Sequence, residues 1–96
     1  MTGPAGEEAV RRRVVVSGQV QGVFFRDTCR REAARHGVAG WVRNCPDGTV
    51  EAVFEGPLDG VAAMVAWARR GPAHAVVDDV QTFEETPEGR TGFAVR

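Results

Sequence analysis

The stretch that decides the fold passes from a strand through a loop into a helix: Val14-Val15-Val16-Ser17-Gly18-Gln19-Val20-Gln21-Gly22-Val23-Phe24-Phe25-Arg26. Residues 11–17 are short and rich in β-branched side chains, a composition that predicts a buried strand. An amphipathic helix is predicted over residues 24–36, because apolar side chains recur every fourth residue, at Phe25, Cys29 and Ala33. The chain therefore begins with a β-loop-α unit.

The rest of the chain supplies a hairpin, a second helix and further strands. Strands are predicted over 38–44 and 49–55, joined by the turn residues Pro46-Asp47-Gly48. A helix over 58–70 precedes Gly71-Pro72, and less regular strands follow over 76–83 and 92–96. The order β-α-β-β-α-β, with a short edge strand added, predicts an α+β fold of the ferredoxin-like type. That fold is a mostly antiparallel sheet with two helices on one face.

Length and composition limit the classes of protein to which the chain can belong. Its 96 residues suit one domain, with 43% hydrophobic and 26% charged residues. We expect a loose N-terminal tail over 1–10, a domain over 11–96 and a monomer. No apolar run reaches the roughly 20 residues that cross a bilayer, and the N-terminus lacks a secretory signal, so we expect a cytoplasmic protein without a membrane partner. The net charge of −1 gives no general attraction to nucleic acid.

The cysteine, histidine and basic residues argue against metal and lysine chemistry. Cys29 and Cys45 do not have the spacing of a redox or zinc motif, and His36 and His74 are far apart in sequence. We therefore expect two free thiols, no metal and no cofactor. Every basic residue is an arginine, which excludes Schiff-base chemistry and a phosphate-loop lysine.

The predicted topology brings two remote segments together. With right-handed crossovers, the first two strands run parallel with the third between them, so the loop over 18–24 and Asn44 meet at one edge of the sheet. The loop offers backbone N–H groups at a helix N-terminus, and Gly18 and Gly22 let it curl around an anion. Arg26 adds a planar fork for phosphate oxygens. The residues alone therefore predict a phosphate site made of Arg26 and the backbone of the loop over 18–24.

Each of these features, taken alone, has a purely structural alternative. A glycine-rich turn before a helix can be only a turn, Arg26 can be a solvated surface charge, and Asn44 can be a turn residue that bonds its own backbone. The arginines at 11–13 are most simply a solvated strand end. The aromatic side chains are expected to be core or partial-core residues: Phe25, Trp41 and Phe54.

Two longer motifs make the sequence resemble the acylphosphatase family. The first is Gly18-Gln19-Val20-Gln21-Gly22-Val23-Phe24-Phe25-Arg26. The second is Gly40-Trp41-Val42-Arg43-Asn44, followed after three residues by Gly48-Thr49-Val50 and after five more by Gly56. The similarity in element order extends from about residue 14 to residue 96.

The resemblance implies metal-free hydrolysis of small acyl phosphates such as acetyl phosphate, carbamoyl phosphate or 1,3-bisphosphoglycerate, with inorganic phosphate as a product. By motif position, Arg26 and the backbone of Gln19 to Phe24 would bind the phosphate, and Asn44 would orient the attacking water. Arg26 and Asn44 are thus the expected catalytic residues.

Two other functions share parts of this pattern. An RNA-recognition module has the same element order, but the strand over 49–54 lacks the clustered aromatic and basic residues with which that module stacks bases. A non-catalytic acylphosphatase-like domain would bind phosphate, or handle carbamoyl phosphate, without turnover. The short chain and the presence of both Arg26 and Asn44 favour the enzyme.

Overall fold

The computed structural model of the chain describes residues 8–96. Its elements follow the predicted order: β1 (Ala9–Gln19), α1 (Phe25–Arg35), β2 (Ala39–Asn44), β3 (Val50–Pro57), α2 (Leu58–Arg70), β4 (Val76–Glu85) and β5 (Phe93–Val95). Helix α2 has the predicted bounds. Strand β1 begins at Ala9, two residues before the predicted start of the domain, and residues 1–7 of the predicted tail lie outside the described part.

The five strands form one sheet in the order β4-β1-β3-β2-β5. Strand β3 lies antiparallel between β1 and β2, which therefore run parallel to each other. Strand β5 extends the sheet by pairing parallel to β2. The predicted α+β ferredoxin-like fold is confirmed. The short terminal strand, β5, forms one edge of the sheet. The C-terminal ends of β1 and β2 consequently lie at the same edge of the sheet.

The core lies between one face of the sheet and both helices. Alternate residues of β1 and β3 point into it, while α1 contributes the predicted every-fourth-residue stripe; the fully or almost fully buried side chains include Val14, Val16, Phe25, Cys29, Ala33, Val50, Ala52, Phe54, Met64 and Trp67. Fully burying a valine or phenylalanine side chain contributes about 1.5 to 3 kcal/mol. This packing fixes where α1 begins, and with it the position of the β1–α1 loop.

The opposite face of the sheet carries an ion-pair network. Arg11 was expected to be part of a solvated strand end, but its side chain is only 7% exposed. It donates from Nη1 to Glu55 Oε1 at 3.1 Å and from Nε to Glu85 Oε1 at 3.0 Å. The expectation fails because Arg11 lies directly opposite both glutamates in the strand register, which a single strand does not reveal.

Candidate active site

The loop between β1 and α1 leaves a row of backbone donors open. Gly22 has φ of 75° and Phe24 has φ of 62°, so the chain curls through the left-handed region twice. For a non-glycine residue such as Phe24 this backbone costs about 1 to 3 kcal/mol. Within residues 8–96, the backbone N–H groups of residues 21–24 have no protein acceptor. Such a row of donors at a helix N-terminus suits an anion.

Gly18 does not take part in this curl, although the sequence suggested that it would. It lies inside β1, at an irregularity in the pairing with β4 next to Ser17. A Cβ at Gly18 would sit 2.1 Å from the carbonyl oxygen of Val76, so no side chain fits. Gly18 therefore permits close approach of two strands, and Gly22 alone gives the loop its freedom.

Arg26 lies in the first turn of α1 and is half-buried. Its Nη1 donates to the backbone oxygen of Arg96 at 3.1 Å. The backbone N–H of Arg96 in turn donates to the carbonyl of Val42 at 2.8 Å. Arg96, the residue that follows β5, thus links the Arg26 guanidinium to β2, a contact for which the sequence carries no periodic signal.

Asn44 is the last residue of β2, paired in the sheet with Val50. Its side-chain amide forms no hydrogen bond within residues 8–96. The turn that follows is closed by Asp47 instead, whose Oδ1 accepts from the N–H of Thr49 at 3.0 Å and from its hydroxyl at 2.7 Å. Among the described residues, Asn44 therefore does not bond its own backbone as a turn residue would. Its amide faces the neighbouring cavities.

Gln21 connects the two motifs. Its side-chain Nε2 donates to the carbonyl of Cys45 at 2.8 Å and to that of Thr49 at 2.9 Å. Sequence reasoning assigned only the backbone of Gln21 to the site and missed this contact. The side chain ties the β1–α1 loop to the turn that follows Asn44.

Two adjoining cavities share Arg26 and Asn44. The first, of about 480 Å³, is lined mainly by the β1–α1 loop and α1, through Val20, Gly22, Phe24, Phe25, Arg26, Asp27, Arg30, Asn44 and Val95. The second, of about 570 Å³, lies on the β2 side, where its walls are Arg26, Trp41, Arg43, Asn44, Glu51 and Arg96. Arg26 and Asn44, predicted from segments remote in sequence, therefore line both cavities.

Three of the predicted loop residues do not line the first cavity. Gln19 is the last residue of β1, paired with Val76 of β4. The side chain of Gln21 forms the contact described above, and Val23 is half-buried against the core. The part of the loop nearest the cavity is therefore Val20, Gly22 and Phe24.

The acidic side chain beside the first cavity is matched by arginines. Asp27 accepts from Arg31 Nε at 3.1 Å and from Arg30 Nη2 at 2.9 Å. These hydrogen bonds, first from Arg31 and then from Arg30, hold the pKa of Asp27 below its ordinary value. Asp27 is thus an anion at neutral pH whose charge is compensated, so it does not cancel the charge of Arg26.

The cysteines differ in exposure, and both are free. Cys29 is fully buried in the core, and burial, followed by the nearby charge of Glu32, raises the pKa of its thiol well above the ordinary value. Cys45 is half-buried in the turn after Asn44. Across residues 8–96, no three His, Cys, Asp or Glu side chains come together in a way that could hold a metal ion.

The arrangement combines groups that suit a phosphoryl centre. It offers open backbone N–H groups, one guanidinium bonded to the backbone of Arg96, and one amide with both donor and acceptor capacity at the same edge of the sheet. The protein contributes fixed positive charge and polar positioning there, which are the main needs of a loose phosphoryl-transfer transition state.

Three known proteins that resemble this chain share one family name. The family model described as Acylphosphatase matches residues 12–95. A protein of Gloeobacter violaceus named Acylphosphatase is 56% identical over 91% of this chain and 94% of its own length. Another of that name from Rubrobacter xylanophilus is 54% identical over 96% of this chain and 84% of its own. The solved acylphosphatase of Coxiella burnetii has a TM-score of 0.90 at 36% identity, covering 97% of this chain and all of that one.

The helices of residues 8–96 are too short or too polar to cross a membrane.

Proposed function

This chain belongs to the acylphosphatase family and is an enzyme of that activity, acting on small acyl phosphates, and we propose that Arg26 binds the phosphoryl group while Asn44 orients the attacking water. In the proposed reaction the carboxyl-phosphate anhydride is cleaved to a carboxylate and inorganic phosphate. The backbone of the loop from Gln19 to Phe24 shares the binding of the phosphate, chiefly through the open N–H groups of residues 21–24.

The observation that carries this proposal is the shared position of Arg26 and Asn44. Both border the two adjoining cavities, and the acidic side chains that line these cavities, Asp27 and Glu51, pair with other arginines and not with Arg26. A phosphate in the first cavity would meet the guanidinium and the open N–H groups together. Asn44, from β2, would then face it from another side, where a water could be held in line.

The leaving group explains why so few groups suffice. A carboxylate leaves easily, because its conjugate acid has an ordinary pKa of about 4.3, and no general acid is needed to protonate it. Neither His36 nor His74 lines the two cavities. Catalysis then rests on positioning and on positive charge around the phosphoryl oxygens.

The bonding changes can be written in full with these residues. The water oxygen forms a bond to phosphorus while the bond from phosphorus to the acyl oxygen breaks, and the electron pair leaves with the carboxylate. A water proton passes to a phosphoryl oxygen of the substrate. Asn44 holds the water through its amide, and Arg26 with the loop N–H groups stabilises the equatorial oxygens.

The decisive experiment compares two substrate classes. Purified protein is assayed with acetyl phosphate and with a phosphate monoester that has an alkoxide leaving group, such as glycerol 3-phosphate, at equal concentrations. Acetyl phosphate should be hydrolysed at least a hundredfold faster, because the better leaving group of the anhydride needs no acid. Monoester hydrolysis at a comparable rate would overturn the proposed chemistry, since it would require acid assistance from a group not assigned here.

The proposal also covers the oligomeric state, the location and the partners of the enzyme. We infer a monomer formed by a domain over residues 11–96, working in the cytoplasm without a nucleic-acid partner. The free thiols of Cys29 and Cys45 fit a reducing compartment, and the net charge of −1 fits the lack of a polyanionic partner. Sedimentation of the purified protein at micromolar concentration should give the mass of a single chain.

A further inference from the structure

The second cavity has a basic and aromatic wall that the phosphate does not require. Arg96 lies with its guanidinium carbon 4.4 Å from the centre of the Trp41 ring. This cation-π contact fixes the charge at one side of the cavity. We call the cavity lined by Arg26, Trp41, Arg43, Asn44, Glu51 and Arg96 the acyl pocket.

One positive charge of the acyl pocket has no negative partner among residues 8–96 once the ion pairs and the phosphate are counted. Arg43 donates from Nε to Glu51 Oε1 at 2.7 Å, so these two charges compensate each other. Glu51 is further neutralised by Arg13, which reaches its other carboxylate oxygen at 3.2 Å. Arg26 is assigned to the phosphate. Within residues 8–96, the Arg96 side chain forms no ion pair, and its charge remains available.

We propose that the acyl pocket receives the acyl group of the substrate and that Arg96 selects acyl groups which carry their own carboxylate. The inference rests on the proposed function, because a phosphate held by Arg26 in the first cavity must direct its acyl substituent to one side. The second cavity adjoins the first along Arg26 and Asn44 and has room for a small organic acid. A carboxylate on that acid would meet the guanidinium of Arg96, with which it can form two hydrogen bonds.

Arg96 can be tested separately from the phosphate site. The backbone of Arg96 accepts from Arg26 and donates to Val42, and neither bond involves its side chain. Arg96→Gln therefore removes the charge and keeps these backbone partners. Arg69→Gln is the matched control, because Arg69 is an exposed residue in the last turn of α2 and loses the same charge away from the pocket.

The experiment measures kcat/KM for succinyl phosphate and butyryl phosphate, which have four-carbon acyl groups and differ in a terminal carboxylate. Unmodified protein should prefer succinyl phosphate by about tenfold, the scale of one partly exposed charge-assisted contact. Arg96→Gln should reduce this ratio towards one, Arg96→Lys should keep part of it, and Arg69→Gln should keep all of it. Raising the salt concentration from 0.05 to 0.5 M, roughly from weak to strong screening, should also lower the ratio in the unmodified protein.

The possible failures separate the two proposals. Hydrolysis of both substrates with equal kcat/KM, or a preference that Arg96→Gln leaves unchanged, would overturn the role of Arg96 and leave the proposed function standing. A protein that hydrolyses neither substrate would overturn the proposed function, and the acyl pocket with it. The substrate ratio and its salt dependence in unmodified protein decide the question even if a variant folds poorly.

Discussion

The side-chain amide of Gln21 donates to the carbonyl oxygen of Cys45 at 2.8 Å, although the two residues belong to different motifs. The same nitrogen also donates to the carbonyl of Thr49 at 2.9 Å, so the side chain is bonded to both ends of the turn. Asn44 immediately precedes the turn that is held in this way. One glutamine side chain thus ties the β1–α1 loop, which we propose binds phosphate, to the turn beside Asn44, which we propose orients the water.

Replacing Gln21 by alanine should slow turnover while leaving the fold intact. The side chain is exposed, so little packing is lost, but Asn44 loses its fixed distance from the loop. We expect kcat to fall by about tenfold, with a smaller change in the affinity for phosphate. Steady-state kinetics and phosphate titration measure the two effects. Gln81→Ala, at an exposed position of β4, serves as the control; equal kinetics of both variants would contradict a positioning role for Gln21.

Glu55 should make stability depend on pH in the acid range. Its carboxylate is 3% exposed and accepts from the N–H groups of Glu88, Gly89 and Arg90 at 2.7 to 3.1 Å. Burial raises the pKa of Glu55, but these backbone donors and the side chain of Arg11 outweigh it and hold the pKa below its ordinary value. The stabilisation is therefore complete above the unfolded-state pKa and is lost as the pH falls through the lower folded-state pKa.

The variant Glu55→Gln tests whether the stabilisation by Glu55 is lost as the pH falls. The variant should be destabilised by about 3 kcal/mol at pH 7, since a buried charge partner of Arg11 is removed. The difference in Tm from the unmodified protein should begin to shrink as the pH falls below the ordinary carboxyl pKa of about 4.3, and it should keep shrinking towards the lower folded-state pKa of Glu55. Thermal unfolding followed by circular dichroism between pH 3 and 7, roughly the range over which carboxylates titrate, measures it. Glu84→Gln, on an 85% exposed side chain, should show almost no difference; a constant difference for Glu55→Gln across the range would refute the assignment.

Modification of Cys45 by a bulky thiol reagent should inhibit the enzyme. Cys45 adjoins Asn44 and is half-buried, so an added group would displace the amide that we propose orients the water. Cys29 should not react, because it is fully buried and its raised pKa keeps the thiol protonated. Mass spectrometry locates the adduct, and Cys45→Ala should make activity insensitive to the reagent. Full activity of protein alkylated at Cys45 would show that this residue is only part of the turn.

Inorganic phosphate should bind the site and raise Tm. It presents the same oxygens to Arg26 and the loop N–H groups as the substrate does, and it binds only the folded state. We expect competitive inhibition at millimolar to tens of millimolar concentration, roughly the range of a weak single-anion site. The Tm shift and the turnover rate should be the same with and without a chelator, in line with the expectation that no metal is needed. Activity lost with chelator and restored by magnesium or zinc would contradict that expectation.

The sequence predicted the fold more fully than the site. Periodic apolar residues and turn signals depend on neighbours in the chain, and they placed α2 at its observed bounds and the strands in their observed order. The contacts of Gln21 with Cys45 and of Arg26 with Arg96 join residues 24 and 70 positions apart. Such side-chain contacts depend on strand register and loop shape, which no local pattern encodes. The burial of Arg11 was missed for the same reason.

The division of labour between Arg26 and Asn44 can be tested by comparing binding with rate. Arg26→Ala should weaken phosphate binding and lower turnover, because in the proposed site the guanidinium faces the phosphoryl oxygens in the ground state and more strongly in the transition state. Arg26→Lys should also fail, since an ammonium cannot reproduce the planar fork. Asn44→Ala should bind phosphate nearly as before while kcat falls by about a hundredfold, the scale for losing one well-placed polar group.

The two residues should therefore differ in one measurable way. Titration with inorganic phosphate gives the affinity, turnover of acetyl phosphate gives the rate, and circular dichroism verifies each fold. Asn44→Asp is a useful companion variant, because it keeps the size and one acceptor but places a negative charge beside the phosphate, so it should lose affinity where Asn44→Ala does not. Near-normal turnover by Asn44→Ala would remove its proposed role. Normal phosphate binding and hydrolysis by Arg26→Ala would mean that the loop N–H groups alone hold the phosphoryl group.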